Sequence, residues 1–164
     1  MIGFILYKIG EFLANSVPLK TAYKVAVFLS DIRFFFAISD KKNVLENLKI
    51  IFPDKEISEL KKIRLSMSRN FAKYLVDFFR SNNLTSEFCD KNVLIDKNKV
   101  ISLFNKKNKP VILLTAHIGN WEMGGMVLGL KGIEIFAVAL PHKSKKVDDF
   151  FNKHRKNKNI TVIP

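Results

Sequence analysis

The chain has 164 residues, 48% of them hydrophobic, and 28 Lys and Arg against 15 Asp and Glu give it a formal net charge of +13. That length suffices for one domain with a buried core, and the composition is far too apolar for a disordered chain. Cys89 stands alone, which excludes a disulfide framework and a cysteine-rich metal cluster and fits a reducing, cytoplasm-facing setting. Arginine occurs only at Arg33, Arg64, Arg69, Arg80 and Arg155, so the basic excess is lysine. An AT-rich coding bias accounts for such a composition as well as attraction to an anionic partner does. Nucleic acid is the weakest partner of that kind. There is no zinc-ligand spacing, no RNA-recognition signature and no uninterrupted basic block with interleaved aromatics.

Residues 1–39 are the most apolar region. Ile2, Phe4, Ile5, Leu6, Ile9, Phe12 and Leu13 line one helix, and Pro18 opens a second that carries Tyr23, Val25, Val27, Phe28, Leu29, Ile32 and Phe34 to Phe36. Lys8, Glu11, Lys20, Lys24, Asp31 and Arg33 interrupt the region. No run therefore reaches the roughly 18 uncharged apolar residues of a spanning helix. Lys8 and Glu11 also argue against a cleavable signal peptide. The expectation is an amphipathic helical hairpin lying in a membrane interface; simple packing on the domain is the plain alternative.

Residues 40–164 read as a second region, a helical lead-in over 40–90 and an α/β core over 91–164. Val44, Leu45, Leu48, Ile51 and Phe52 have helical spacing over Lys41 to Phe52, until Pro53 and Asp54 break it. Asp54 or Ser58 is placed to cap the next helix. Ile57, Leu60, Ile63, Met67, Phe71, Tyr74, Leu75 and Phe78 give that helix a core-facing stripe to about Arg80. The rhythm then changes. Val93 to Ile95 and a buried run, Val111 to Ala116, read as strands, with a short helix at Lys97 to Asn105 between them. A helix over Asn120 to Leu130 with Asn120 as N-cap, a strand over Ile133 to Leu140, a polar helix from Lys145 to about Lys156 and a strand at Ile160 to Ile163 complete the pattern. Strand alternating with helix predicts parallel strands joined by crossovers. Because the sequence stops at Pro164, beside a strand with no covering helix, it is expected to be the N-terminal portion of a longer protein.

The stretch His117-Ile118-Gly119-Asn120-Trp121-Glu122 puts an imidazole at the end of an expected strand and a carboxylate in the first turn of the next helix. Such a pair can act as a base and its orienting acid, and catalytic groups favour the carboxyl ends of strands. Gly119 permits close backbone approach, and the helix start at Asn120 offers N–H groups suited to an oxyanion. The plainer readings are a first-turn acid that stabilises its helix and a polar strand-end residue, with Trp121 as packing. His142 follows Pro141 at a strand end and could face the same cleft. His154, among Lys153, Arg155 and Lys156, reads as part of a solvated helix face. The three histidines are too irregularly spaced for a metal site to be argued.

Several blocks resemble the bacterial lipid A biosynthesis (lauroyl/myristoyl-type) acyltransferases, within the wider lysophospholipid acyltransferase superfamily. They are Asn43-Val44-Leu45-Glu46-Asn47-Leu48 with Phe52-Pro53, the run from Pro110 to Glu122, Leu140-Pro141 through Asp148, and Val162-Ile163-Pro164. The resemblance runs nearly end to end but covers about the first half of a full family member. It implies a parallel-stranded αβα acyltransferase core behind membrane-associated helices. It implies transfer of a fatty acyl chain from an acyl carrier protein thioester to a hydroxyl of a lipid A precursor, at the cytoplasmic face of the bacterial inner membrane. No metal or other cofactor is implied. His117 becomes the general base and Glu122 its orienter, while Gly119 and Asn120 hold the oxyanion. His142, Lys143, Asp148 and Arg155 become substrate-binding candidates. Family members often have Arg-Pro where this chain has Leu140-Pro141, and Asn where it has Ser144; Lys143 or His142 would then substitute for the missing arginine. Acyl carrier protein, the lipid acceptor and an anionic phospholipid membrane are the implied partners. Two alternatives stand beside this reading: the same chemistry on a lysophospholipid or other glycolipid, and a non-catalytic, membrane-binding remnant.

Overall fold

A computed structural model describes residues 2–36, 38–94, 102 and 110–163. Most of them are helical. Helices α1 (Ile2–Ser16), α2 (Leu19–Phe36), α3 (Ile38–Ile51), α4 (Ile57–Phe79) and α5 (Ser86–Asn92) are followed by α6 (Trp121–Leu130), strand β1 (Ile135–Val138), α7 (Lys145–Lys156) and strand β2 (Ile160–Ile163). They form two compact units, residues 8–79 and residues 1–7 with 80–164.

In the helical unit, α2 and α4 run antiparallel, as four contacts in opposite chain order establish. Tyr23 donates to Asp77, Ser30 and Ser68 share a hydroxyl bond of 2.8 Å, Arg69 forks onto Asp31 with two bonds of 2.8 Å, and Arg64 lies over the Phe34 ring. The seam is thus largely polar, with Ala22 buried among it, while Val25, Phe28, Leu29, Ile32, Phe35 and Phe36 of α2 are exposed. On α1, Ile9, Phe12 and Leu13 are exposed as well, and Asn15 is tied to α4 through the Phe79 carbonyl at 3.0 Å. Pro18 opens α2 as expected, its carbonyl accepting from the Ala22 N–H. The stripe expected of α4 is only partly buried. Leu60 and Phe78 are core, but Met67 and Phe71 are exposed, and Val76 and Phe79 are buried in their place. The polar partners on α2 take up the face that the apolar spacing assigned to a core. Neither Asp54 nor Ser58 caps α4, because the Glu56 carbonyl accepts from the Glu59 and Leu60 N–H groups and so occupies the cap position.

In the second unit, Thr85 caps α5 by accepting from the Phe88 N–H, and Asn120 caps α6 by accepting from Met123 at 3.0 Å. Helix α6 ends at Leu130, and Gly132 beyond it, at φ 83°, turns the chain toward β1 while the Ile133 N–H reaches back to the Leu128 carbonyl. β1 and β2 pair in parallel from Ile135 opposite Ile160 to Val138 opposite Ile163, with α7 as the crossover. On α7, Val147, Phe150, Phe151 and His154 recur at helical spacing and are buried. Phe150 and Phe151 receive the ring of Tyr7, and Phe150 also receives Phe4. α6 packs on the sheet through glycine: the Ile160 side chain lies 3.3 Å from where a Cβ on Gly125 would sit.

The parallel pairing, the crossover and the span of α7 agree with the sequence; the extent of the sheet does not. Among the described residues it has two strands. Val111 to Ala116, expected as a buried strand, has no ladder partner among the described residues and is exposed, with Ile112 at 89% and Leu114 at 91%. An apolar run states only a preference for burial and cannot name its partner. The strand expected over 133–140 shortens to four residues. Val93 and Leu94 adopt no regular structure; Ile95 and nearly all of the helix expected at 97–105 lie outside the described residues.

Two comparisons test this packing. A Cβ on Gly129 would lie 1.8 Å from the Lys158 carbonyl oxygen, whereas one on Gly124, in the same helix, meets nothing within 4 Å. Gly129→Ala will destabilise the protein by about 3 kcal/mol or more in urea titrations, and Gly124→Ala will stabilise it by about 0.5–1 kcal/mol. The Asp31 carboxyl is held below the usual carboxylate range by the Arg69 hydrogen bonds. Its contribution is therefore complete above the unfolded pKa of about 3.9 and is lost as pH falls through the lower folded value. Asp31→Asn will lower the melting temperature at neutral pH, and the gap to the parent will close in strongly acidic buffer.

Candidate active site

Residues 110–119 lead to α6 without regular secondary structure. His117 sits in the left-handed region at φ 54°, and Gly119 follows at φ 71°. For a residue with a Cβ that conformation costs about 1–2 kcal/mol, and backbone held this way concentrates at functional sites. The His117 N–H donates to the Thr115 hydroxyl at 3.3 Å, a local bond that steadies the turn. Its imidazole is exposed and packs on the Trp121 indole, with ring centres 4.8 Å apart and planes tilted by 38°. Trp121, read from the sequence as packing, is thus the side chain that touches the imidazole. The space a Cβ would take at Gly119 is open.

Glu122 is buried, and its carboxylate turns to Arg155 rather than to His117. Arg155 Nε lies 3.2 Å from both carboxylate oxygens, and Nη2 makes a closer bond to Oε1. Arg155 belongs to a polar stripe on α7 spaced four and three residues apart: Asp148, Asn152 and Arg155. The Asn152 amide donates to Asp148 Oδ2 at 3.0 Å and accepts from Arg155 Nη1 at 3.4 Å. Asp148 Oδ1 in turn accepts the backbone N–H of His142 at 2.8 Å. The His142 ring rests on Phe151, with centres 4.6 Å apart, and the Arg155 guanidinium lies 6.0 Å from the centre of the same ring. Lys143 is exposed in the same loop. The structure therefore brings together Glu122, Arg155, Asp148 and His142, groups His117 with Trp121, and leaves Lys143 at the surface. Asn152 and Phe151 join these residues without having been singled out by sequence, although their spacing from Asp148 and Arg155 on one helix face was legible.

His154 does not lie on a solvated face. It is 2% exposed, and its Nδ1 is 2.9 Å from the hydroxyl of buried Ser81. It completes the apolar stripe of Val147, Phe150 and Phe151, a spacing that outweighs its basic neighbours in sequence. Lys158 is also buried, donating to the Leu84 carbonyl at 2.8 Å, and burial pushes its ammonium pKa down. Burial pushes the Cys89 thiol up, so the one cysteine is chemically quiet. Among the described residues no three His, Cys, Asp or Glu side chains cluster as metal ligands.

The Glu122–Arg155 pair lies between the exposed regime of about 0–1 kcal/mol and the buried one, where removing one partner costs about 3–5 kcal/mol. Arg155→Met will cost about 2–4 kcal/mol on this scale. In a double-mutant cycle by chemical denaturation, Glu122→Gln with Arg155→Met will cost less than the two single losses added.

No curated protein and no solved structure matched the chain. The profile described as bacterial lipid A biosynthesis acyltransferase matches residues 1–164, every position. The His–acid block at 117–122 and the strand–helix–strand unit that carries Arg155 lie within a chain that belongs to the bacterial lipid A biosynthesis acyltransferase family.

Proposed function

We propose that this acyltransferase moves a fatty acyl chain from an acyl carrier protein thioester to a hydroxyl of a lipid A precursor, with His117 as general base. The observation that carries the reading is His117 itself: a strained, exposed imidazole at the N-terminal end of α6 in a chain of this family. The acceptor hydroxyl gives its proton to the imidazole as its oxygen attacks the thioester carbonyl. The tetrahedral oxyanion collapses, the C–S bond breaks, and the imidazolium returns the proton to the departing thiolate. No protein nucleophile is needed. The first turn of α6 presents positive dipole character to the oxyanion, and Gly119 leaves room for it. Glu122, clamped by Arg155, fixes the first turn that carries Trp121 and so the platform under the imidazole. Exposed His142 and Lys143 are available to a phosphate on the acceptor. In this reading the α/β part is wider than two strands, with Val111 to Ala116 as a further strand.

The helical unit supports an anionic membrane at the cytoplasmic face of the inner membrane as the setting. Helix α2 turns Tyr23, Ser30 and Asp31 to α4 and leaves Phe28, Phe35 and Phe36 outward, the reverse of what a helix packed in water favours. No helix among the described residues is long and apolar enough to cross a membrane, so binding in the interface plane suits this face. Basic residues add attraction to anionic headgroups.

The test uses the protein with acyl carrier thioester and lipid A precursor. His117→Ala will lower acyl transfer by about 10²–10⁴-fold while binding phosphatidylglycerol vesicles as the parent does. Retained transfer removes His117 from the base's role; transfer to a lysophospholipid in place of the precursor changes the acceptor.

A further inference from the structure

We propose that Asn152 is a positioning residue for the transfer site, coupling the His142 loop to Glu122; the inference rests on the acyl-transfer reading above. The Asp148 carboxylate accepts at one oxygen from the His142 backbone N–H, 2.8 Å away, and at the other from the Asn152 amide, 3.0 Å away. The Arg155 guanidinium spends its Nε and Nη2 donors on Glu122 and directs Nη1 toward the Asn152 oxygen at 3.4 Å. The Asn152 side chain bonds to both Asp148 and Arg155. An amide fits because it donates on one side and accepts on the other; a carboxylate cannot donate to Asp148, and an ammonium cannot accept from Arg155.

The direction of each bond fixes a rotamer. With its amide nitrogen on Asp148, Asn152 must turn its oxygen to Arg155, which holds the guanidinium plane for a fork onto Glu122. Phe151 supports the same arrangement from its other side, lying under both the His142 ring and the guanidinium. The loop after β1 and the first turn of α6 are thereby referenced to a single helix face. Small misplacements of such groups are costly to rate even where binding is unaffected.

The test measures acyl transfer by the full protein and amide exchange at His142. Asn152→Leu, similar in volume but without either bond, will lower kcat about tenfold, with KM changed less than about twofold, and will speed exchange of the His142 amide. Asn152→Gln, which keeps both functions, will restore kcat to within about threefold of the parent. Asn152→Asp keeps only the acceptor and draws Arg155 off Glu122, and will fall below Asn152→Leu. Unchanged kcat in Asn152→Leu overturns the proposal, as does a loss matched by the fraction of protein unfolded. Should Asn152→Leu fail to fold, Asn152→Gln and Asn152→Asp decide by the same two readouts. Should the parent transfer no acyl group, the function reading fails by itself, and the proposed coupling is then overturned if His142 exchange is the same in parent and variant.

Discussion

The fork between Arg155 and Glu122 joins the last turn of α7 to the first turn of α6, and the local chemistry is arranged around it. Each charge sits at the helix end that favours it, an acid at an N-terminus and a base at a C-terminus. The pair therefore satisfies two helix dipoles and one another. Trp121 precedes Glu122 directly, so fixing the acid fixes the ring beneath His117. Asp148 and Asn152 extend the same order along α7 to the loop after β1. The imidazole is thus positioned by a neighbour's packing, and that neighbour by an ion pair.

The helical unit inverts the usual division of labour. Antiparallel α2 and α4 meet through Tyr23, Asp77, the serine pair and the Asp31–Arg69 fork, groups that a helix in water would leave outside. Phe28, Phe35 and Phe36 of α2 are left exposed. Polar contacts between helices are more favourable, and apolar exposure less costly, where the surroundings are lipid. The packing of the helical unit is thus consistent with the membrane setting proposed above.

Much of this was readable in the residues. Pro18, Asn120 and the lysine-flanked α7 marked their helices, because caps and breakers act locally. The parallel pairing of β1 and β2 followed from strand alternating with helix. What sequence could not supply was partner identity. The pattern of α4 named a stripe without saying that α2 would meet it with polar groups, so Met67 and Phe71 fell outside the core. His154 looked solvated beside three basic residues, but its distance from Val147 and Phe150 decided its burial. Glu122 and His117 are adjacent enough to suggest a dyad, yet a carboxylate takes the best donor within reach. A planar guanidinium with several N–H groups is a better one than an imidazole already leaning on an indole.

The exposed run Val111 to Thr115 has a consequence outside catalysis. Five residues rich in β-branched and aliphatic side chains, without charge or proline, are the composition of a steric zipper. Exposed, and without a ladder partner among the described residues, the segment offers its backbone to the same segment in another molecule. Lys106, Lys107, Lys109 and Pro110 stand immediately before it, the residue types that block such stacking by repulsion and by a missing N–H. The surplus of lysine that composition alone left unexplained thus falls, at this one place in the sequence, where charge opposes self-association.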